Sequence, residues 1–190
     1  QVDLEQASVF AAAGFDPGVI QWDGMVPPPG YRRVGLPVRL QELDSESHGV
    51  RTHPGEFTIV IPFQLPDGQS FQHPALLLAG IGENWEIYLN GRLVQSEMHA
   101  DKGELQVLRV LRNELVPLPS DSIREGNNVL VFRILGDVRN PRAGLFSGGP
   151  YRIGEFTVLH DEAFEYAPLA LIPLFLFLGF YHIYLFARTS

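Results

Sequence analysis

Apolar and polar residues alternate over several short runs of the chain. The run 57–63 places Phe57 and its odd-numbered neighbours on one face, and the run 84–89 does the same with Trp85. A side-chain period of two is that of a β-strand with one buried face. Both runs therefore predict strands. Pro62 has no backbone N–H, which predicts that the first strand lies at a sheet edge or ends there.

The pair Asn90-Gly91 follows the second run and precedes a short return segment at 92–94. It predicts a type I′ hairpin, because both central positions of that turn need positive φ. Further strands are expected at 19–22, 75–79, 114–118, 129–135 and 151–159, and helical segments at 4–13 and 120–126. With 19 glycines and 15 prolines between these short elements, the fold class is predicted to be mainly β, as an antiparallel jelly-roll β-sandwich.

Residues 167–187 break this pattern, because they contain no Asp, Glu, Lys or Arg. About twenty apolar residues are enough for a helix to cross ~30 Å of hydrocarbon. The stretch is therefore predicted to be one C-terminal transmembrane α-helix, kinked at Pro173, which membrane helices tolerate. The competing interpretation is a fully buried helix in the core of a soluble protein.

Charges flanking this stretch predict its orientation. Asp161, Glu162 and Glu165 precede it and Arg188 follows it, and basic residues favour the cytoplasmic side. We therefore expect the inner membrane as the location, with residues 1–166 in the periplasm or outside the cell. The N-terminus lacks a basic region followed by an apolar core, so we expect that an export signal was removed by processing and that the protein continues beyond residue 190.

Net charge and composition narrow the classes of function. The chain carries 22 acidic and 14 basic residues, for a net charge of −8, which disfavours nucleic acid as a partner because phosphate contacts need clustered Lys and Arg. There is no cysteine and therefore no thiol nucleophile or disulfide. No Gly-x-Ser-x-Gly elbow is present, and the six histidines show no i, i+4 metal spacing. No catalytic residue, cofactor or metal ligand is predicted.

Two pairs of nearby carboxylates are also not predicted to be catalytic. Asp44 with Glu46, and Asp161 with Glu162, lie in segments that read as solvated loop and linker, so an acid/base pair is not predicted. A calcium site near Asp44, Glu46 or Asp137 is left open, because hard cations need several oxygens and no Asx-rich loop of defined spacing is present.

A ligand site is the better-supported hypothesis. One basic-aromatic group lies at 31–33 and a second at 139–152, and if these segments meet they form a positive pocket for a carboxylate or an anionic sugar. The candidate ligand-binding residues are Tyr31, Arg32, Arg33, Tyr88, Arg139, Arg142, Tyr151 and Arg152. The competing interpretation is that each arginine pairs with a surface acid. Trp22 and Trp85 are expected in the core, and His182 in a contact between membrane helices.

Several segments resemble a known family. Residues 82–94, with Asn90-Gly91, look like the hairpin of galactose-binding-like jelly rolls, and residues 125–134 resemble the strand that follows it. Both motifs also occur in the sugar-binding domains of family 2 glycoside hydrolases. The order of residues 148–154, a last strand and the apolar segment 179–186 is similar to bacterial seven-transmembrane receptors with diverse intracellular signalling modules.

This resemblance implies a domain organisation and a function. Residues 1–160 would be a periplasmic jelly-roll sensor domain, residues 161–166 a juxtamembrane linker, and residues 167–187 the first transmembrane helix. The fragment would not be an enzyme itself. It would sense a small molecule, carbohydrate or carboxylate, for a cyclase, kinase or phosphatase domain that lies elsewhere in the protein. The alternatives are an accessory carbohydrate-binding domain of a glycoside hydrolase, or a module that forms a homodimer through its sheet edges and binds no small ligand.

Overall fold

The structure is a computed structural model that describes residues 1–22, 28–44, 55–101, 104–105, 109–164 and 166–189. Its strands are β1 (Val2–Asp3), β2 (Val9–Ala13), β3 (Arg32–Val34), β4 (Val38–Arg39), β5 (Gly55–Leu65), β6 (Pro74–Gly82), β7 (Asn84–Leu89), β8 (Arg92–Ser96), β9 (Ala100–Asp101), β10 (Glu104–Leu105), β11 (Val110–Pro117), β12 (Gly126–Gly136), β13 (Gly144–Leu145) and β14 (Tyr151–Glu155). Its helices are α1 (Leu40–Asp44), α2 (Phe156–Phe164) and α3 (Tyr166–Thr189), with 3₁₀ turns at Leu4–Gln6, Pro17–Gln21 and Ser120–Ser122.

Two antiparallel sheets form the sandwich. Sheet A has the order β1-β14-β6-β13-β4, and β11 also pairs with β6, along the edge opposite β14. Sheet B has the order β3-β2-β5-β12-β7-β8. β9 and β10 pair with each other as a separate ribbon. The predicted fold class, a mainly β antiparallel sandwich followed by one apolar C-terminal helix, is confirmed.

The core lies between the inner faces of the two sheets. Trp85, Phe57, Phe132 and Tyr151 are among its largest side chains, and each is at most 1% exposed. Each of them occupies one of the alternate positions that face inward on its own strand, as the period of two predicts. Trp85 is therefore a core residue, as expected, and not a platform for a ligand.

The β7–β8 hairpin has the predicted turn. Asn90 has a φ of 49° and Gly91 a φ of 89°, as type I′ requires. The Asn90 side chain also donates to the Ser122 carbonyl at 2.7 Å and accepts from the backbone N–H of Val129 at 2.9 Å. These two bonds fasten the hairpin to the 3₁₀ turn and to β12.

Two early predictions are wrong. Residues 4–13, expected to be a helix, form a 3₁₀ turn followed by β2, because β2 finds pairing partners in both β3 and β5. Residues 19–22, expected to be a strand, end a 3₁₀ turn that Asp16 caps through its bond to the Gly18 N–H at 2.9 Å. Tertiary pairing and local capping override the short-range pattern in each case.

Pro62 was expected at a sheet edge or at the end of its strand. Its strand is neither an edge strand nor ended there, although one side of the strand is without a described partner at Pro62. β5 is an interior strand of sheet B, flanked by β2 and β12. The pairing with β2 ends at Val60, so only β12 lies beside Pro62. The missing N–H therefore falls where the sheet leaves one side of β5 without a described partner.

The expected last strand, 151–159, is only half correct. β14 ends at Glu155 and the chain continues as α2, which includes Asp161 and Glu162 of the expected linker. Leu159 of α2 is fully buried against Ala75 and Leu77 on the outer face of sheet A. The helix places Leu159 on this apolar part of the sheet face, so packing favours a helix here.

α3 follows almost directly. Its stretch Leu171–Arg188 is long and apolar enough to cross a membrane, and none of it is buried inside the chain. Large apolar side chains such as Phe175, Phe177 and Phe186 are 67–75% exposed. The interpretation as a helix buried in the core of its own domain therefore does not apply to the part of the chain that the structure describes.

Candidate functional site

Sheet B brings two of the eight candidate residues together on its outer face. Tyr31 and Tyr88 belong to one apolar cluster there, with Val60 and Val131. The Tyr88 hydroxyl donates to Glu86 at 2.8 Å. Burial, and secondarily the Glu86 carboxylate, raise the pKa of Tyr88 to about 12, so this hydroxyl stays protonated and acts as a hydrogen-bond donor.

Arg133 pairs with two carboxylates on the same outer face. Its guanidinium donates to Glu56 at 2.6 Å and to Glu86 at 2.9 Å, and it lies 4.7 Å from the centre of the Phe15 ring. The guanidinium thus forms hydrogen bonds with two carboxylates and a cation–π contact with one aromatic ring. We interpret this cluster as a structural feature that fixes three strands to the segment before the Pro17–Gln21 turn.

Four other arginines of the predicted pocket lie in two segments, β3 and the loop that follows β12. Arg32 donates to the backbone carbonyl of Glu42, and Arg33 is exposed on β3, at the edge of sheet B. Arg139 makes bonds of 2.6–3.1 Å to the Asp137 carboxylate, as the competing interpretation expects. Arg142 is exposed in the same loop.

Tyr151 is unsuited to binding a ligand. It is 1% exposed between the sheets, and its hydroxyl lies 2.8 Å from the Ser147 carbonyl and 3.1 Å from the Gly80 carbonyl. Burial raises its pKa further above the ordinary range of tyrosine. The eight residues are thus distributed over both sheets, the core and a loop, and Arg152 is the one that lines a cleft described below.

Glu83, which the sequence did not single out, is the most unusual carboxyl group of the described structure. It is 1% exposed and has a φ of 75°. Its Oε1 accepts from the Asn140 side chain, while Oε2 has no partner among the described residues. Burial raises the pKa of Glu83, the Asn140 bond opposes this, and the charge of Asp137 adds to it.

We expect Glu83→Gln to stabilise the domain at neutral and higher pH. A carboxyl group whose folded-state pKa is raised contributes stability below its unfolded pKa and loses it as the pH rises through its folded pKa. The variant should therefore match the parent near about pH 4 and exceed it near about pH 8 by ~1 kcal/mol, or ~2–4 °C in Tm. Thermal unfolding followed by circular dichroism measures this, with Glu125→Gln as the exposed control. A constant difference at every pH would contradict the assignment.

A cleft of about 600 Å³ lies between the outer face of sheet A and α2. We call it the junction cleft. It is lined by Glu5, Asn113, Arg152 and Glu162, by the turn 148–150, and by apolar Leu77 and Ala163. Other clefts in the described part of the chain measure about 300–390 Å³. The junction cleft is within the size range of small-molecule sites.

Polar contacts along this cleft hold the second half of α2 against the sheet. Arg152 of β14 forms an ion pair with Glu162, whose other oxygen accepts from Gln1 at 3.1 Å. Asn113 of β11 donates to the Ala163 carbonyl at 3.3 Å. Any molecule in the cleft therefore lies beside the bonds that position α2.

Glu5 lines the cleft next to Gly149. It follows the cap residue Asp3 in the first 3₁₀ turn, and its carboxylate packs so closely on Gly149 that a Cβ there would lie 1.9 Å from Oε1. Among the described residues, no side chain forms a hydrogen bond or ion pair with this carboxylate. Arg152 is thus the one candidate residue that lines the cleft. Sequence reasoning missed Glu5 and Asn113, because both are distant from Arg152 along the chain.

Metal ligation has no support in the described residues. They contain no group of three or more His, Asp or Glu side chains that could hold an ion. Asp137, one member of the calcium hypothesis, is paired with Arg139. Glu46, His48 and His53 lie outside the described residues, so the part of the hypothesis that depends on Glu46 stays untested.

Comparisons with known proteins bear on the fold alone. No protein-family model matches the chain, and no curated protein matches it. A family 2 glycosyl hydrolase member from Bacteroides cellulosilyticus is similar in structure, with a TM-score of 0.51 and 16% identity over 80% of this chain and 20% of that chain. β-Glucuronidases from Ruminococcus gnavus (TM-score 0.47, 21% identity, 71% of this chain and 20% of that chain) and Faecalibacterium prausnitzii (TM-score 0.44, 16% identity, 70% and 20%) give lower scores.

The chain spans about a fifth of the length of these enzymes. At 16% identity, the similarity to the Bacteroides protein concerns the architecture and not the chemistry. The comparisons therefore lead to one conclusion: this chain has a β-sandwich fold that also occurs as part of a family 2 glycosyl hydrolase.

Proposed function

We propose that this chain is the extracytoplasmic, ligand-sensing part of a bacterial membrane signalling receptor, attached to the inner membrane by α3. The observation that carries the proposal is the continuity of β14, α2 and α3: a docked helix on sheet A leads into an apolar helix that nothing in the described chain covers. A helix of this kind needs either a bilayer or other protein around it.

Signal transfer in this proposal uses the contacts of the junction cleft. Leu159 supplies the apolar anchor of α2 on sheet A, and the Arg152–Glu162 ion pair supplies the polar one. A change in the cleft alters how α2 sits on the sheet, and α3 carries that change into the membrane. The fragment itself is proposed to be non-catalytic, with the output in a cyclase, kinase or phosphatase domain elsewhere in the protein.

Thiol labelling in intact bacterial cells tests the location of the domain. The chain has no cysteine, so single cysteines report one position each. We expect a membrane-impermeant maleimide to label Asp121→Cys, on the exposed 3₁₀ turn of the sandwich, and to leave Ser190→Cys unlabelled until the cells are lysed. Labelling of residue 190 alone in intact cells would reverse the proposed orientation, and labelling of neither position would show that the chain does not cross the membrane.

An accessory domain of a glycoside hydrolase is the second candidate, supported by the fold similarity to the Bacteroides enzyme. It requires that α3 be covered by another part of a larger protein. The sequence that follows residue 190 separates the two candidates. Six further apolar spans favour the receptor, whereas a repeated βα pattern favours the hydrolase.

A further inference from the structure

The polar groups of the junction cleft define a ligand class. Glu5 and Glu162 contribute two carboxylates, against one guanidinium from Arg152 that is already paired with Glu162. The formal charge of these three groups is −1. A ligand carboxylate would meet this net negative charge without an unpaired cation to receive it, and like charges at close range are unfavourable.

The hydrogen-bonding groups of the cleft also favour a ligand with hydroxyls over a ligand with a carboxylate. The Glu5 carboxylate accepts no side-chain bond from the described residues, and ionised carboxylates can only accept. Planar side-chain groups, here Glu5, Arg152, Glu162 and the Asn113 amide, suit adjacent hydroxyls, which both donate and accept. Leu77 and Ala163 add an apolar surface to the cleft.

We propose that the junction cleft binds a hydroxyl-rich small molecule without negative charge, and that this molecule competes for the Arg152–Glu162 ion pair and so changes how α2 sits on sheet A. This inference rests on the proposed sensory function and specifies its ligand class. It differs from the expectation of a carboxylate or anionic sugar, because Arg152 alone among the arginines behind that expectation lines this cleft.

Competition for the ion pair follows from the position of its two partners. Both Arg152 and Glu162 are about one-third exposed, so their interaction with each other is partly screened by water. Hydroxyls that bond to both groups replace that interaction at little cost. The Gln1 and Asn113 bonds to α2 border the same space, so occupancy of the cleft affects each polar contact between the second half of α2 and the sandwich.

Matched neutral and acidic sugars test the ligand class. The chain, residues 1–190 in lipid nanodiscs, is titrated calorimetrically with D-glucose, D-galactose, D-glucuronate and D-galacturonate. We expect saturable binding of at least one neutral sugar, with a Kd below its uronate partner's by about 10-fold or more. Arg152→Ala should weaken that binding by about 10-fold or more, and Arg139→Ala, whose side chain lies outside the cleft, should leave it unchanged.

Spin labels test the movement of α2. Cysteines replacing Leu93 on β8 and Asp161 on α2, both exposed, report the distance between sheet B and the helix. The neutral sugar should shift this distance distribution, and the shift should be absent in the Arg152→Ala background.

Tighter binding of the uronates, or no saturable binding of any of the four sugars, would overturn this inference. Binding that Arg139→Ala removes and Arg152→Ala spares would overturn it as well, by placing the site elsewhere. None of these results would alter the labelling pattern expected for the receptor, so the failure of the ligand class is distinguishable from the failure of the proposed function.

Discussion

Replacing Leu174 and Leu178 together with arginine is expected to release the chain from bacterial membranes. Both side chains are exposed on α3, at 51% and 42%, and they lie one turn apart on the same face. Each arginine near the centre of a span costs about 2.5–3.5 kcal/mol. The pair therefore costs ~5–7 kcal/mol, which lowers the inserted fraction by about 1,000-fold or more.

Carbonate extraction of membranes from expressing cells measures this effect. The parent chain should remain in the membrane pellet and the double variant should appear in the soluble or aggregated fraction. Leu93→Arg is the matched control, because Leu93 is 48% exposed but lies on the sandwich; it should stay in the pellet. A double variant that remains as resistant to carbonate as the parent would contradict the proposal that α3 spans a membrane.

Replacing Leu159 with alanine is expected to undock α2 from sheet A. Leu159 is fully buried against Ala75 and Leu77, and deleting a buried leucine side chain costs about 2–5 kcal/mol. α2 has only nine residues, and helices of that length are marginal without tertiary packing. The lost stability should therefore affect mainly the docking of α2 on sheet A, and through it the position of α3.

Hydrogen exchange of the intact chain locates this loss. Amides of α2 should lose protection in Leu159→Ala, by about 30-fold or more for a cost of ~2 kcal/mol, while amides of β5 and β12 should change less. Val158→Ala is the control, because Val158 neighbours Leu159 in sequence but is 56% exposed. Equal loss in both variants, or a uniform loss over the sandwich, would show that the Leu159 contact is not what holds α2.

Prediction from the sequence succeeded where the cause is local. The period of two in residues 57–63 and 84–89 reflects the alternation of side chains along any strand, and Asn90-Gly91 encodes its turn through two positive φ angles. It failed at α2, because residues 151–159 carry an apolar pattern compatible with either a strand or a helix. The choice depended on the exposed apolar face of sheet A, which no short window of sequence contains.

The candidate site, too, depends on tertiary contacts that the sequence pattern does not show. Seven of the eight proposed ligand residues lie outside the junction cleft, because arginines that are close in sequence end on different faces or pair with acids such as Asp137. Arg152 lines the cleft with Glu162 of the following helix, but Glu5 and Asn113 come from two distant segments of the chain. Spacing along the chain contains no signal for such an arrangement.

The sequence by itself determined two properties of this protein, the sandwich class and the apolar helix, because side-chain period and an uncharged run of membrane length are properties of consecutive residues. Only the tertiary structure decided that α2 docks on sheet A, that Tyr151 is buried, and that Glu5, Asn113, Arg152 and Glu162 share a cleft. The physical reason is that burial and charge pairing depend on which segments meet, and strand pairing over long separations in the chain sets those meetings.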